Sequence, residues 1–245
     1  MRNNTLPAVI YYPLQDISTK NELEIISTLA KNSLDKGHIA SIINAFYLNT
    51  RICRNGIPYI RAKGVASILR TGNSGAERPL IYQGIAGVLA PSAIVEIDGE
   101  DYISGPSLLA LISTRISMKS GITKEYLSIA FELYNRIINL STVRDIKDVF
   151  ISEIDNNRPY LKKERIEKFG IRNCEFTGEV FNSYSDVEFA HIESVVTNPF
   201  KALDLNNGVI ILKAIHANLT RQNIHTFEQL YRFCKENHYS LDWAD

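Results

Sequence analysis

The chain has 245 residues, 45% of them hydrophobic, enough apolar material for one large domain or two small ones. Its 27 basic residues balance 27 acidic ones, so no global positive field marks a nucleic-acid binder, and any polyanion site has to be a local patch. No apolar run approaches the ~18 residues of a membrane span, and residues 1–15 lack the apolar core of a signal peptide, so neither is expected.

Residues 19–48 read as helical from Leu23, Ile25, Ile26, Leu29, Ile39, Ile42, Ile43 and Phe46, with Lys36-Gly37 expected to separate two helices. From about residue 50 the texture turns to short β-prone runs. Arg54-Asn55-Gly56-Ile57 and Ile97-Asp98-Gly99-Glu100 predict hairpins, because Asn-Gly and Asp-Gly tolerate the positive φ of type I′ turns. Residues 71–75 read as an exposed loop. Helical texture returns over 106–116 and 143–154, and most strongly over 123–140, where Leu127, Ala130, Phe131, Tyr134, Ile137 and Ile138 form an apolar stripe. Asp155-Asn156-Asn157-Arg158-Pro159 is the clearest break, followed by a charged segment. The expected organisation is therefore α+β in two parts. A mixed α+β module spans 1–160, and a second domain over 161–245 reads as strand, loop, strand, helix, helix.

Residues 51–78 carry Arg51, Arg54, Arg61, Lys63, Arg70 and Arg78 against Glu77 alone. This stretch reads either as a surface for a phosphate backbone, with Arg61, Lys63 and Arg70 as contacts, or as a solvated face. The three cysteines, Cys53, Cys174 and Cys234, are far apart and form no Cys-x-x-Cys pair, which favours a reduced cytoplasmic setting.

The chemistry-bearing residues lie in the last third. His191 stands near the end of a predicted strand, Asn207 at the exit of a loop, and His216 in the first turns of a predicted helix. A neutral imidazole takes a proton from water at neutral pH. A second imidazole can hold a divalent cation that stabilises charge on a phosphate. An asparagine can pin the intervening loop through side-chain bonds to backbone. Lys213 and Arg221 flank His216 and are candidate phosphate contacts.

Cys174-Glu175-Phe176-Thr177-Gly178, Phe189-Ala190-His191-Ile192, Asn207-Gly208-Val209-Ile210-Ile211-Leu212 and His216, taken together over roughly residues 170–235, resemble the HNH nuclease family. The likeness is to the HNH domains of bacterial type II restriction endonucleases. It implies a C-terminal ββα-metal fold, Mg²⁺ or Mn²⁺ as cofactor, and hydrolysis of double-stranded DNA to 5′-phosphate and 3′-hydroxyl ends. Carried over by position, His191 matches the general base, Asn207 the loop-steadying asparagine and His216 the metal ligand. Many members place a further metal ligand where this chain has Ala190; Glu193 or Asp186 would compensate, or water and phosphate would fill the sphere. Many also carry structural zinc, but Thr177, Leu212 and Ile215 stand where three of its cysteines would be. No structural zinc is expected, and apolar packing should hold the hairpin. The upstream module would then read DNA or dimerise, and a homodimer would cut both strands of a palindromic site. A less specific or modification-dependent defence nuclease, and a non-catalytic DNA-binding protein with a degenerate HNH unit, are the alternatives.

Overall fold

A computed structural model describes residues 9–24, 34–72 and 75–244 of the chain. The fold is mixed α+β and divides into two compact units, with the division between Phe150 and Ile151.

In the first unit, β1 (Tyr11–Pro13), β2 (Thr50–Cys53), β3 (Pro58–Arg61), β4 (Ile94–Ile97) and β5 (Glu100–Ser104) form an antiparallel sheet in the order β1-β2-β3-β5-β4. Its helices are α1 (Leu14–Ile17), α2 (Lys36–Asn49), α3 (Val65–Leu69), α4 (Glu77–Tyr82), α5 (Gly105–Met118), α6 (Gly121–Ile138) and the start of α7 (Ser141–Asn157). Phe46, Ile52, Ile60, Ile68, Ile103, Leu108 and Leu133 meet in one apolar cluster from which solvent is excluded.

Several sequence expectations change here for local reasons. Lys36-Gly37 lies at the opening of α2, where the Asp35 side chain accepts from the His38 amide at 2.9 Å and caps the helix; residues 25–33, on the far side of the expected separation, lie outside the described residues. Ile25, Ile26 and Leu29 lie outside the described residues, as do Asn73 and Ser74 of the expected loop. The two hairpins close differently. Asp98 (φ 52°) and Gly99 (φ 75°) both take the positive φ that a type I′ turn needs. At the other turn only Gly56 does (φ 79°), while the Asn55 side chain accepts from the Ile57 amide at 3.0 Å. That turn is closed by a glycine bulge, not by the expected type I′ pair. On α6 the buried stripe is Tyr126, Ala130, Leu133, Tyr134 and Ile137, whereas Phe131 is 37% exposed and faces outward.

The expected break at 155–159 is largely helix. α7 runs through Asn157, whose side-chain amide folds back on the helix and donates to the Glu153 carbonyl at 2.8 Å. Pro159 then sits in the first turn of a 3₁₀ segment (Arg158–Tyr160), where its missing N–H costs nothing, and this leads directly into α8 (Leu161–Phe169).

The second unit has the expected order of strand, loop, strand, helix, helix. β6 (Val187–His191) and β7 (Gly208–Leu212) pair antiparallel, followed by α9 (Lys213–Arg221) and α10 (Phe227–Glu236). Both faces of this ribbon are covered, which is why Val209-Ile210-Ile211 is apolar without alternation. On one face Val187 and Ile210 pack with Ile166 of α8. On the other, Ala190, Val209 and Ile211 pack with Cys174, Phe176, Ile215, Leu230, Phe233 and Cys234. Trp243 closes this second cluster, with its ring centroid 6.0 Å from Phe176 and 5.7 Å from Phe227.

A charged brace ties the ribbon to its surroundings. Arg165, only 8% exposed, donates to both oxygens of Glu175 (3.1 and 2.6 Å) and to the Leu205 carbonyl (2.6 Å). Glu175 in turn accepts from the Ile210 amide at 2.5 Å, and its own amide donates to the Ile210 carbonyl at 2.9 Å. The Cys174–Gly178 turn is thereby stitched to the edge of β7.

Candidate active site at the end of the ribbon

β6 ends on His191, which pairs across the ribbon with Gly208. The loop between the strands is closed at its neck, where the Ile192 amide donates to the Asn207 carbonyl at 3.0 Å. Asn207 is 5% exposed, and its side chain serves the loop backbone alone. Its oxygen accepts from the Glu193 amide (2.9 Å), and its nitrogen donates to the carbonyls of Glu193 (2.9 Å) and Lys201 (3.1 Å). Holding Lys201 fixes the next carbonyl, that of Ala202, which lies 2.9 Å from Nε2 of His191. A carbonyl oxygen only accepts, so Nε2 carries the proton and the lone pair falls on Nδ1.

Burial lowers the His191 pKa, the Ala202 bond opposes this, and the charge of Arg158 and competition with His216 for a proton lower it further. His191 is therefore neutral at pH 7 with a basic Nδ1. Its ring stands edge-on to Phe189 at 5.0 Å. Phe189 in turn lies over Gly208, where an added Cβ would come within 2.0 Å of the ring. Gly208 is extended (φ −158°), so the restriction on this position comes from the space the Phe189 ring fills and not from backbone conformation.

His216 lies in the first turns of α9 and is half-buried. Its pKa is lowered mainly by burial; Glu188 opposes this and Arg158 adds to it. Glu188 itself sits between Lys162 (3.7 Å) and Lys213 (3.9 Å). The ribbon and α9 thus bring His191, Asn207, His216 and Lys213 into one neighbourhood. Arg221 is exposed in the last turn of α9.

The two acidic candidates for an additional metal ligand are engaged elsewhere. The Glu193 carboxylate pairs with Lys201 and accepts from Asn198 at 3.1 Å, and these bonds lower its pKa in that order. Asp186 accepts from the Ser183 amide at 3.0 Å within a tight turn. Among the described residues no group of three or more His, Cys, Asp or Glu side chains is arranged to hold a metal ion. The basic residues Arg61, Lys63 and Arg70 belong to the first unit and are occupied there. Arg61 donates to Asn49 at 3.0 and 2.8 Å, Lys63 pairs with Glu100 at 3.1 Å, and Arg70 lies over the Tyr126 ring at 4.7 Å.

Sequence reasoning passed over Arg158, Lys162 and Glu188. Arg158 belongs to the stretch whose composition reads as a break; its four-residue spacing from Lys162, at the mouth of a helix, is the available signal. No helix among the described residues is long and apolar enough to cross a membrane. No protein-family model, curated protein or solved structure matches this chain.

Proposed function

We propose that this protein is a DNA endonuclease of the HNH type that hydrolyses phosphodiester bonds, acting as a cytoplasmic, homodimeric type II restriction enzyme. The observation that carries this reading is the 2.9 Å contact of His191 Nε2 with the Ala202 carbonyl, from which the tautomer follows. A neutral imidazole whose Nε2–H is spent on the Ala202 carbonyl presents Nδ1 as a base, and a second imidazole, His216, stands within electrostatic reach.

The chain's own groups then divide the work. His191 Nδ1 takes a proton from water as the water oxygen attacks phosphorus and the P–O3′ bond breaks; the departing 3′ oxygen collects a proton from solvent. Asn207 holds the loop so that the Ala202 carbonyl keeps the His191 ring oriented. Lys213 offers positive charge to the phosphate. His216 would hold a divalent cation, Mg²⁺ or Mn²⁺, with water and phosphate oxygens filling the remaining positions. A hard cation ordinarily adds one or two carboxylates to its waters and phosphate oxygens, so with Glu193 and Asp186 engaged elsewhere the protein's share of such a site would rest on His216 alone. Such an ion supplies stabilisation of charge on the phosphoryl and leaving oxygens. Sequence recognition and dimerisation fall to the first unit.

The absence of a three-ligand cluster among the described residues favours one second reading, a DNA-binding protein whose ββα unit no longer cuts. Incubation of the intact protein with supercoiled plasmid and Mg²⁺ or Mn²⁺ separates the two. Discrete fragments are expected from wild type. His191→Ala should lower the rate by roughly 10²–10⁴-fold, the usual contribution of a general base, while DNA binding without metal persists. Cutting by His191→Ala at the wild-type rate would remove the assignment, and binding without cutting by wild type would select the second reading.

A further inference from the structure

We propose that Arg158, with Lys162 and Lys213, forms an anion site beside the two histidines, in which the Arg158 guanidinium grips the non-bridging oxygens of a phosphodiester. That the phosphate belongs to DNA rests on the nuclease reading; the anion site itself does not.

The geometry begins with Lys162. Its ammonium donates to the Val187 carbonyl at 3.1 Å and lies 3.7 Å from Glu188, so this face of the helical segment is laid along the first strand of the ribbon. Arg158 stands four residues earlier, at the spacing that places side chains one above another on a helix. It is exposed, and its guanidinium has no hydrogen-bond or ion-pair partner among the described residues. From the opposite side Lys213 reaches the same Glu188 at 3.9 Å. Two cations drawn from separate segments thus share one carboxylate, and with the unpartnered Arg158 four residues before Lys162 this leaves a positive surplus. Among the described residues Arg158 is close enough to both His191 and His216 for its charge to act on each.

An exposed arginine beside Lys162 has no structural partner among the described residues that would explain it. Its planar fork matches two phosphate oxygens. An anion bound there would satisfy Arg158 and set a phosphorus atom beside Nδ1 of His191. The charge that develops on the phosphoryl oxygens in hydrolysis would meet a donor already in position.

The test uses the intact, metal-free protein as wild type, Arg158→Ala and Arg158→Lys, with thermal unfolding to check that all three fold alike. Inorganic phosphate should shift the His191 and His216 ring resonances together and saturably in wild type. The response should be lost in Arg158→Ala and partly kept in Arg158→Lys. Binding to duplex DNA in chelator should weaken in Arg158→Ala, and the slope of log K against log salt should fall by about one, as for loss of a phosphate contact. Arg158→Lys should restore the slope. A wild type without a saturable phosphate response, or an Arg158→Ala that keeps both response and slope, would overturn the site. If the phosphate and salt results hold but wild type cuts no DNA with Mg²⁺ or Mn²⁺, the anion site stands and the hydrolytic reading falls. Cutting that depends on His191 but is indifferent to Arg158 would have the opposite meaning.

Discussion

The two units solve the problem of stability in different ways. The first wraps its sheet and helices around one apolar cluster centred on Phe46, Ile60 and Leu133, and its charged side chains pair at the surface, as Lys63 does with Glu100. The second divides its apolar material between the two faces of a two-stranded ribbon and joins the parts with buried polar groups, Arg165 and Asn207. A thin ribbon cannot bury enough apolar surface on one side to fix its own loop. Here polar wiring does so, and the same wiring sets the orientation of His191. In the first unit a buried polar side chain such as Asn55 closes its own turn; in the second, Arg165 and Asn207 join distant segments and orient the candidate site.

That contrast can be broken by experiment. The largest effects are expected from Phe46→Ala and Glu175→Ala, each about 3–5 kcal/mol but through different causes. Phe46→Ala removes a large buried ring. Glu175→Ala strands the Arg165 guanidinium without its carboxylate. Because Trp243, the single tryptophan, lies in the second unit, its fluorescence should report the loss for Glu175→Ala and stay silent for Phe46→Ala, whose loss should appear in the tyrosine signal. Equal fluorescence shifts for the two variants would dissolve the distinction.

Asn207→Ala comes next, at about 1–3 kcal/mol, since two backbone carbonyls and an amide lose their partner. It should slow DNA cutting beyond its effect on folding, because the Ala202 carbonyl would no longer hold the imidazole. Activity per folded molecule, measured against denaturant titration, separates the two contributions. Lys63→Ala should change stability by less than about 1 kcal/mol, since its pair is exposed to solvent.

The smallest effect is that of pH. His191 and His216 both have lowered pKa values in the folded chain, so the unfolded chain binds protons more readily. Their contribution to stability is therefore complete above the unfolded value of about 6.5 and is lost as pH falls from there through the lowered folded values. Fluorescence-monitored unfolding between pH 5 and 7.5, at about half-unit steps, should show this slope, and His216→Ala should flatten part of it. A slope of the opposite sign would mean that the imidazoles are charged in the fold.

How much of this was legible in the chain depended on the range of the interaction. The Asp98-Gly99 turn and α6 are written in neighbouring residues and were readable. So was the strand, loop, strand and helix around His191, Asn207 and His216, because each element has its own local pattern. The Asp155–Pro159 stretch departs from its turn-like composition because turn-forming residues are also tolerated in a last helical turn, where a side chain such as Asn157 can fold back on a backbone carbonyl of the preceding turn. Glu193 looked like a free carboxylate, since nothing nearby in sequence announces that Lys201 and Asn198 will fold back on it. The Arg165–Glu175–Leu205 brace joins three distant segments, and residue type alone does not pair them.

The contact of Phe189 with Gly208 bears on how this ribbon could be redesigned. Randomising position 208 alone should return glycine in almost every functional clone, as any larger residue needs the space the aromatic ring already fills. Randomising 189 and 208 together should release the restriction and yield pairs in which one side chain shrinks as the other grows. The two codons would then behave as one unit of selection, and the enrichment of such pairs would measure how much the edge-on ring beside His191 matters apart from the volume it occupies.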